Sequence, residues 1–134
     1  MDATIEIKKE TKQVINFYKL KAGELVYYGS TSKPLDERLR MHWYMLKSHH
    51  MGNYRRLTSF DLLESGKEVY LLPLLRKECT NQQRKEIEGN YIRRGKADDE
   101  EKCVNIRIEN RTAEERQQQK KILKLRITID DTYE

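Results

Sequence analysis

Two short runs rich in β-branched and aromatic residues, Val14 to Leu20 and Leu25 to Gly29, are separated only by Lys21-Ala22-Gly23-Glu24. That gap reads as a tight turn in which glycine supplies the awkward dihedral, so the chain is committed to a β-hairpin near its start. With Ala22 and Gly23 as the central turn residues, Leu20 would face Leu25 and Tyr18 would face Tyr27, putting two phenols on one face of the ribbon.

The segments that follow must cover this ribbon. From Pro34 the pattern turns helical: proline suits a first turn, Asp36 and Glu37 suit the positive end of the dipole, and Leu35, Leu39, Trp43 and Leu46 line one side. Trp43 is therefore assigned to the core. A second helical pattern runs from Arg55 to Glu64, ended by Ser65-Gly66, and Glu68 to Leu75 reads as a third strand in which Pro73 marks an edge or an irregularity. Thr80-Asn81-Gln82-Gln83 has the spacing of a capping box, which starts a helix that ends near Gly95. Val104 to Ile108 is a short apolar segment. Thr112 to Lys124 suits a surface helix, with Ile122, Leu125, Ile127 and Ile129 able to dock or to pair as a strand. The expected order is β-β-α-α-β-α and then a tail.

Composition limits the size of what can be built. With 134 residues, 37% hydrophobic and 37% charged, the chain has material for one modest core. No run approaches the roughly 20 apolar residues of a membrane span, and the start Met1-Asp2-Ala3-Thr4 is not a secretory signal, so an intracellular protein of the cytoplasm or nucleus, with no membrane partner, is expected. Cys79 and Cys103 are too few and too far apart for a metal knuckle or a disulfide framework and are expected as thiols. The net charge of +5 favours a polyanionic partner only weakly, but its distribution is more informative. Lys33 to Arg56 holds six lysines and arginines against two acids, with His42, His49 and His50 among them, whereas Asp98-Asp99-Glu100-Glu101 and the acidic end belong at the periphery.

Individual residues then stand out. On the helix from Thr80, Glu88 falls inside the arc defined by Ile87, Tyr91 and Ile92, whereas Glu86 points away. A carboxylate on an apolar face needs a cation, a metal or strong donors to stay ionised, and an ion pair with Arg84 one turn earlier would satisfy it as well as a metal would. Arg38 and His42 share a side of their helix beside the apolar row. They could serve a phosphate and a proton, or merely snorkel over the core edge.

Taken as an ordered set, these residues resemble the GIY-YIG nuclease family. Asn16-Phe17-Tyr18 stands where the family has Gly-Ile-Tyr and Tyr27-Tyr28-Gly29 where it has Tyr-Ile-Gly; Arg38-x-x-x-His42, Glu88-x-x-Tyr91-Ile92 and Asn105 follow in order. The departures are Asn16 for glycine, Phe17 and Tyr28 for isoleucine, and a hairpin connection two residues shorter. The likeness spans Ile15 to Ile106.

The resemblance implies an α/β (α+β) domain over residues 1–108, a three-stranded antiparallel sheet flanked by helices, with residues 1–12 as an extra strand or arm and 109–134 as a C-terminal helix and acidic tail. It implies a DNA endonuclease that hydrolyses phosphodiester bonds with one divalent ion, Mg2+ or Mn2+, on Glu88. Tyr18 would handle the proton of the attacking water, Tyr27 would position water or phosphate, Arg38 would stabilise phosphoryl charge and His42 would assist orientation or proton transfer. Arg55 and Arg56, with Lys33 and Arg40, are the expected phosphate contacts, in a stretch that also carries Trp43, Tyr44 and Tyr54. Ser30 and Thr31 are assigned to helix capping, and Asn105 to holding the acidic loop and the preceding helix. Two other readings stay open: a member that binds nucleic acid without cutting it, and a protein-interaction module. Whether the protein is a monomer or a homo-oligomer is undecided. The nuclease reading requires that the two phenols, Arg38, His42 and Glu88 share one accessible hollow.

Overall fold

A computed structural model describes residues 11–105, 112–118 and 120–121. The hairpin forms as two strands, β1 (Gln13–Ala22) and β2 (Leu25–Thr31). Its register differs from the expected one by two residues: Ala22 faces Leu25, Leu20 faces Tyr27 and Tyr18 faces Gly29. Gly23, at φ +60°, takes the first position of a two-residue turn that it shares with Glu24. A positive φ at that position favours glycine over alanine, which moves the turn one residue later than expected. A shift of two preserves the faces, so Tyr18 and Tyr27 still point the same way without being partners.

The chain continues through α1 (Leu35–His50), α2 (Phe60–Leu63), β3 (Tyr70–Cys79), α3 (Asn81–Ala97) and β4 (Lys102–Cys103). Among the described residues the sheet has four strands in the order β3-β1-β2-β4, so the expected three antiparallel strands are corrected to a mixed sheet. The β4 strand runs parallel to β2, where Lys102 N–H donates to Glu24 O at 2.7 Å and Val104 N–H to Val26 O at 2.9 Å. Two residues of pairing satisfy carbonyls on the edge of β2 and are too short for any sequence period to reveal. Pro73 lies on the edge strand β3 at a bulge: Phe17 faces Leu75 and Tyr18 faces Pro73, leaving Leu74 as the extra residue. The third strand starts and ends later than Glu68 to Leu75, because its pairing with β1 continues to Cys79.

Each face of the sheet is covered. Tyr18, Leu20 and Ala22 pack against Leu62 of α2 and against Leu35 and Leu39 of α1. Their alternate neighbours Ile15 and Phe17 pack on the other side, with Cys79 and the α3 residues Ile87 and Tyr91, and Val26 and Tyr28 meet Ile92 there. The rings of Tyr91 and Tyr28 stack at 6.2 Å, and Phe17 lies 6.3 Å from Tyr91. Phe17 and Tyr28 thus fill one contact with α3.

The buried stripe of α1 runs through His42, Met45 and Leu46, and Trp43 is 44% exposed, which corrects its assignment to the core. The helix expected from Arg55 shrinks to the single turn of α2, because Gly52, at φ +80°, turns the chain out of α1, and the hydroxyl of Ser59 faces His42 instead of capping. The capping box of α3 forms as expected: Gln83 N–H donates to Thr80 Oγ1 at 3.2 Å and Thr80 N–H to Gln83 Oε1 at 2.9 Å. Both cysteines are free thiols. Among the described residues no helix is long and apolar enough to cross a membrane. Residues 113–118 and 120–121 are helical, within the helix expected from Thr112 to Lys124. Residues 1–10 of the N-terminal arm expected over residues 1–12, the apolar positions Ile122 to Ile129 and the acidic end lie outside the described residues.

Candidate active site

Tyr18 is fully buried, and its hydroxyl is held by side chains of α1. The phenol crosses from β1 over Gly29 of β2, where an added Cβ would lie 2.5 Å from the hydroxyl, so the ring tip occupies space that any other residue at Gly29 would fill. From α1, Arg38 Nε–H donates to that hydroxyl at 3.1 Å, and His42 Nε2 lies 2.9 Å from it. One helical turn separates these two side chains, which puts both on the side of α1 that meets the sheet. The Tyr27 ring stands edge-on to His42 with centroids 5.9 Å apart. On the far side of the imidazole, Nδ1 is 3.2 Å from Ser59 Oγ.

The environment sets the charges. Burial raises the Tyr18 pKa above 10, Arg38 pulls it back, Glu88 raises it and Arg84 lowers it. The phenol is therefore neutral near pH 7. His42 is pushed down to about 3, by burial first and by the Arg38 charge second, so its imidazole is neutral as well. Burial works against the Arg38 charge, but Tyr18, Tyr27 and Tyr54 favour it, and the guanidinium is held above its usual range.

Glu88 approaches from the other direction. It projects from α3, which packs on the face of the sheet opposite to α1, yet its charge acts on the Tyr18 hydroxyl. The two sets meet at neighbouring residues near the end of β2. Tyr18 lies over Gly29, and the next residue, Ser30, donates its hydroxyl to Glu88 Oε2 at 2.5 Å while Arg84 Nε–H donates to Ser30 Oγ at 2.7 Å. Ser30 thus links the two α3 side chains, and its hydroxyl orients the carboxylate instead of capping a helix. Thr31 does serve the helix entry, accepting from Lys33 N–H at 3.1 Å.

Among the described residues no three His, Cys, Asp or Glu side chains gather into a metal cage. A divalent ion at this site would therefore take Glu88 as its protein ligand, with waters and substrate oxygens completing the shell. That donor set fits a hard ion such as magnesium or manganese. Ser30 and Arg84 supply the outer hydrogen bonds that hold such a carboxylate in place.

The expected phosphate contacts differ in how freely they are held. Lys33 and Arg40 are exposed and paired with Glu37 at 3.6 Å and Asp36 at 3.4 Å, contacts weak enough to be exchanged for phosphate. Arg55 is exposed. Arg56 is committed to Asp61 at 2.8 Å and Glu64 at 3.2 Å, which ties the loop after α1 to α2. Asn105 is 5% exposed and bonds the backbone of Tyr28 in both directions, so it anchors the exit of β4 to β2. Sequence reasoning did not find Ser59, since a serine ahead of Phe60 carries no distinguishing signal, and it read Arg84 only as a partner for Glu88. No protein-family model matches the chain, and neither a curated protein nor a solved structure matches it.

Proposed function

We propose that the chain is an intracellular DNA endonuclease of the GIY-YIG type, hydrolysing phosphodiester bonds with one magnesium or manganese ion at Glu88. The observation that carries this reading is the buried hydroxyl of Tyr18, held by Arg38 and His42 over Gly29, with the Glu88 carboxylate fixed on the very next residue.

A neutral phenol beside a neutral imidazole is not a resting base. Its oxygen accepts from Arg38, its proton is directed at His42, and one lone pair remains to accept from a water. Tyr18 therefore orients the nucleophile, and its hydroxyl can pass a proton inward as it takes one from the water. An anionic phosphodiester against Arg38 offsets part of the charge that depresses His42, so the imidazole becomes a better proton acceptor when substrate is bound. Arg38 also stabilises charge on the phosphoryl oxygens. The divalent ion, when bound, polarises the phosphate and acidifies water near it.

The direct test is conversion of supercoiled to nicked plasmid with magnesium and with manganese. Nicking by the wild type that disappears in Glu88→Ala, with DNA binding kept, supports hydrolysis. A second reading, nucleic-acid binding without cleavage, draws on the placement of α1 and α3 on opposite faces of the sheet. DNA binding that weakens steeply with salt, without nicking under any metal, would favour it.

A further inference from the structure

Ser59 and His42 are each 1% exposed, and neither hydroxyl nor imidazole reaches solvent for its hydrogen bonds. Ser59 occupies the residue before α2 and would ordinarily cap that helix, but its side chain makes no cap bond there. Its oxygen instead lies 3.2 Å from His42 Nδ1, while His42 Nε2 lies 2.9 Å from the Tyr18 hydroxyl. A capping serine contributes about 1 kcal/mol to a helix, so a serine that gives this up for a buried imidazole points to the imidazole.

The direction of these bonds follows by elimination. The Tyr18 hydroxyl contacts two polar groups among the described residues, Arg38 Nε and His42 Nε2. A guanidinium has no acceptor, so the buried phenol proton goes to Nε2, which must then be unprotonated. A neutral imidazole with a bare Nε2 carries its proton on Nδ1, and that proton is donated to Ser59 Oγ. The four groups form one directed chain: Arg38 to Tyr18, Tyr18 to His42, His42 to Ser59.

We infer that Ser59 is a positioning residue that fixes His42 in the Nδ1–H form, so that Nε2 faces Tyr18 as an acceptor. The short helix α2 would then belong to the site through the residue that precedes it. This inference rests on the nuclease reading for its catalytic meaning, but the proton arrangement can be measured without any cleavage.

The test combines nitrogen NMR of the histidine ring with kinetics. In the wild-type protein the His42 signals should be those of a protonated Nδ1 and an unprotonated Nε2; the opposite assignment overturns the inference. Ser59→Ala should mix the two forms and lower kcat by about tenfold with KM unchanged, and Ser59→Thr, which keeps the acceptor, should restore both the ring signals and the rate. Unchanged ring signals and an unchanged rate in Ser59→Ala overturn it. If the alanine variant does not fold, the wild-type ring signals decide alone. A wild type that cuts no DNA removes the nuclease reading, while those signals still judge whether Ser59 sets the proton position.

Discussion

Burying a histidine as a neutral ring against an arginine makes the fold sensitive to mild acid, and the size of the effect follows from the shift. His42 has an ordinary value of 6.5 and is pushed down to about 3 in the folded chain, by burial and then by Arg38. Below 6.5 the unfolded chain takes up a proton that the folded chain refuses, so the contribution is fully present above 6.5 and is lost as the pH falls toward the folded value. Each unit in that window is worth about 1.4 kcal/mol, so moving from about pH 7.5 to about pH 5 should remove about 2 kcal/mol of stability through this one side chain. The carboxylates held below their usual value, Glu64, Glu101 and Glu115, titrate lower and add little in this interval. Urea unfolding of the wild type and of His42→Gln at both pH values reads the difference directly. The variant should be less stable overall, since the Tyr18 and Ser59 bonds are disturbed, yet its loss between the two pH values should be smaller by about 2 kcal/mol, or about 1 M in urea midpoint. Parallel pH dependence in the two proteins would mean that the imidazole protonates normally in the fold, and the reasoning about the site's charges would fail with it.

Gly29→Ala should displace the Tyr18 ring tip, destabilising the fold by about 1–3 kcal/mol and suppressing cleavage, as read by denaturation and plasmid nicking. Arg38→Lys keeps the positive charge but removes the Nε donor to Tyr18; nicking should fall by about a hundredfold while thermal unfolding changes little. Thr80→Ala breaks the capping box of α3 and should lower stability by about 1 kcal/mol in denaturant titrations, without touching the cleavage metal preference.

Much of the fold was legible because its elements carry local signals. The hairpin, the Thr80 capping box and the Pro73 irregularity each rest on a few adjacent residues, and each formed where those residues stand. The failures are non-local. Trp43 was assigned inward because it is apolar, but the stripe of α1 that meets the sheet passes through Arg38 and His42, which have polar work to do there. The turn moved by one residue because backbone dihedrals, not the alternation of side chains, select the glycine position. The β4 strand escaped notice because two residues have no period. In the site, the sequence order named residues from helices on both faces of the sheet, but pattern alone could not reveal that Glu88 is fixed by Ser30, the residue next to the one Tyr18 crosses. Ser59 was invisible, and Ser30 was assigned to capping, for a related reason: a hydroxyl declares itself only by its partner.

Asn105 shows how a side chain can stand in for a strand. Its carboxamide offers one donor and one acceptor, as a peptide unit does, and the Tyr28 backbone uses both: Tyr28 N–H donates to Oδ1 and Nδ2–H donates to Tyr28 O, each at 2.9 Å. Deamidation at this position swaps a single nitrogen for an oxygen with almost no change of shape, yet it turns the donor into a second acceptor facing a carbonyl. Ageing chemistry at one amide would thus loosen the seam between β4 and the strand that carries Gly29 and Ser30.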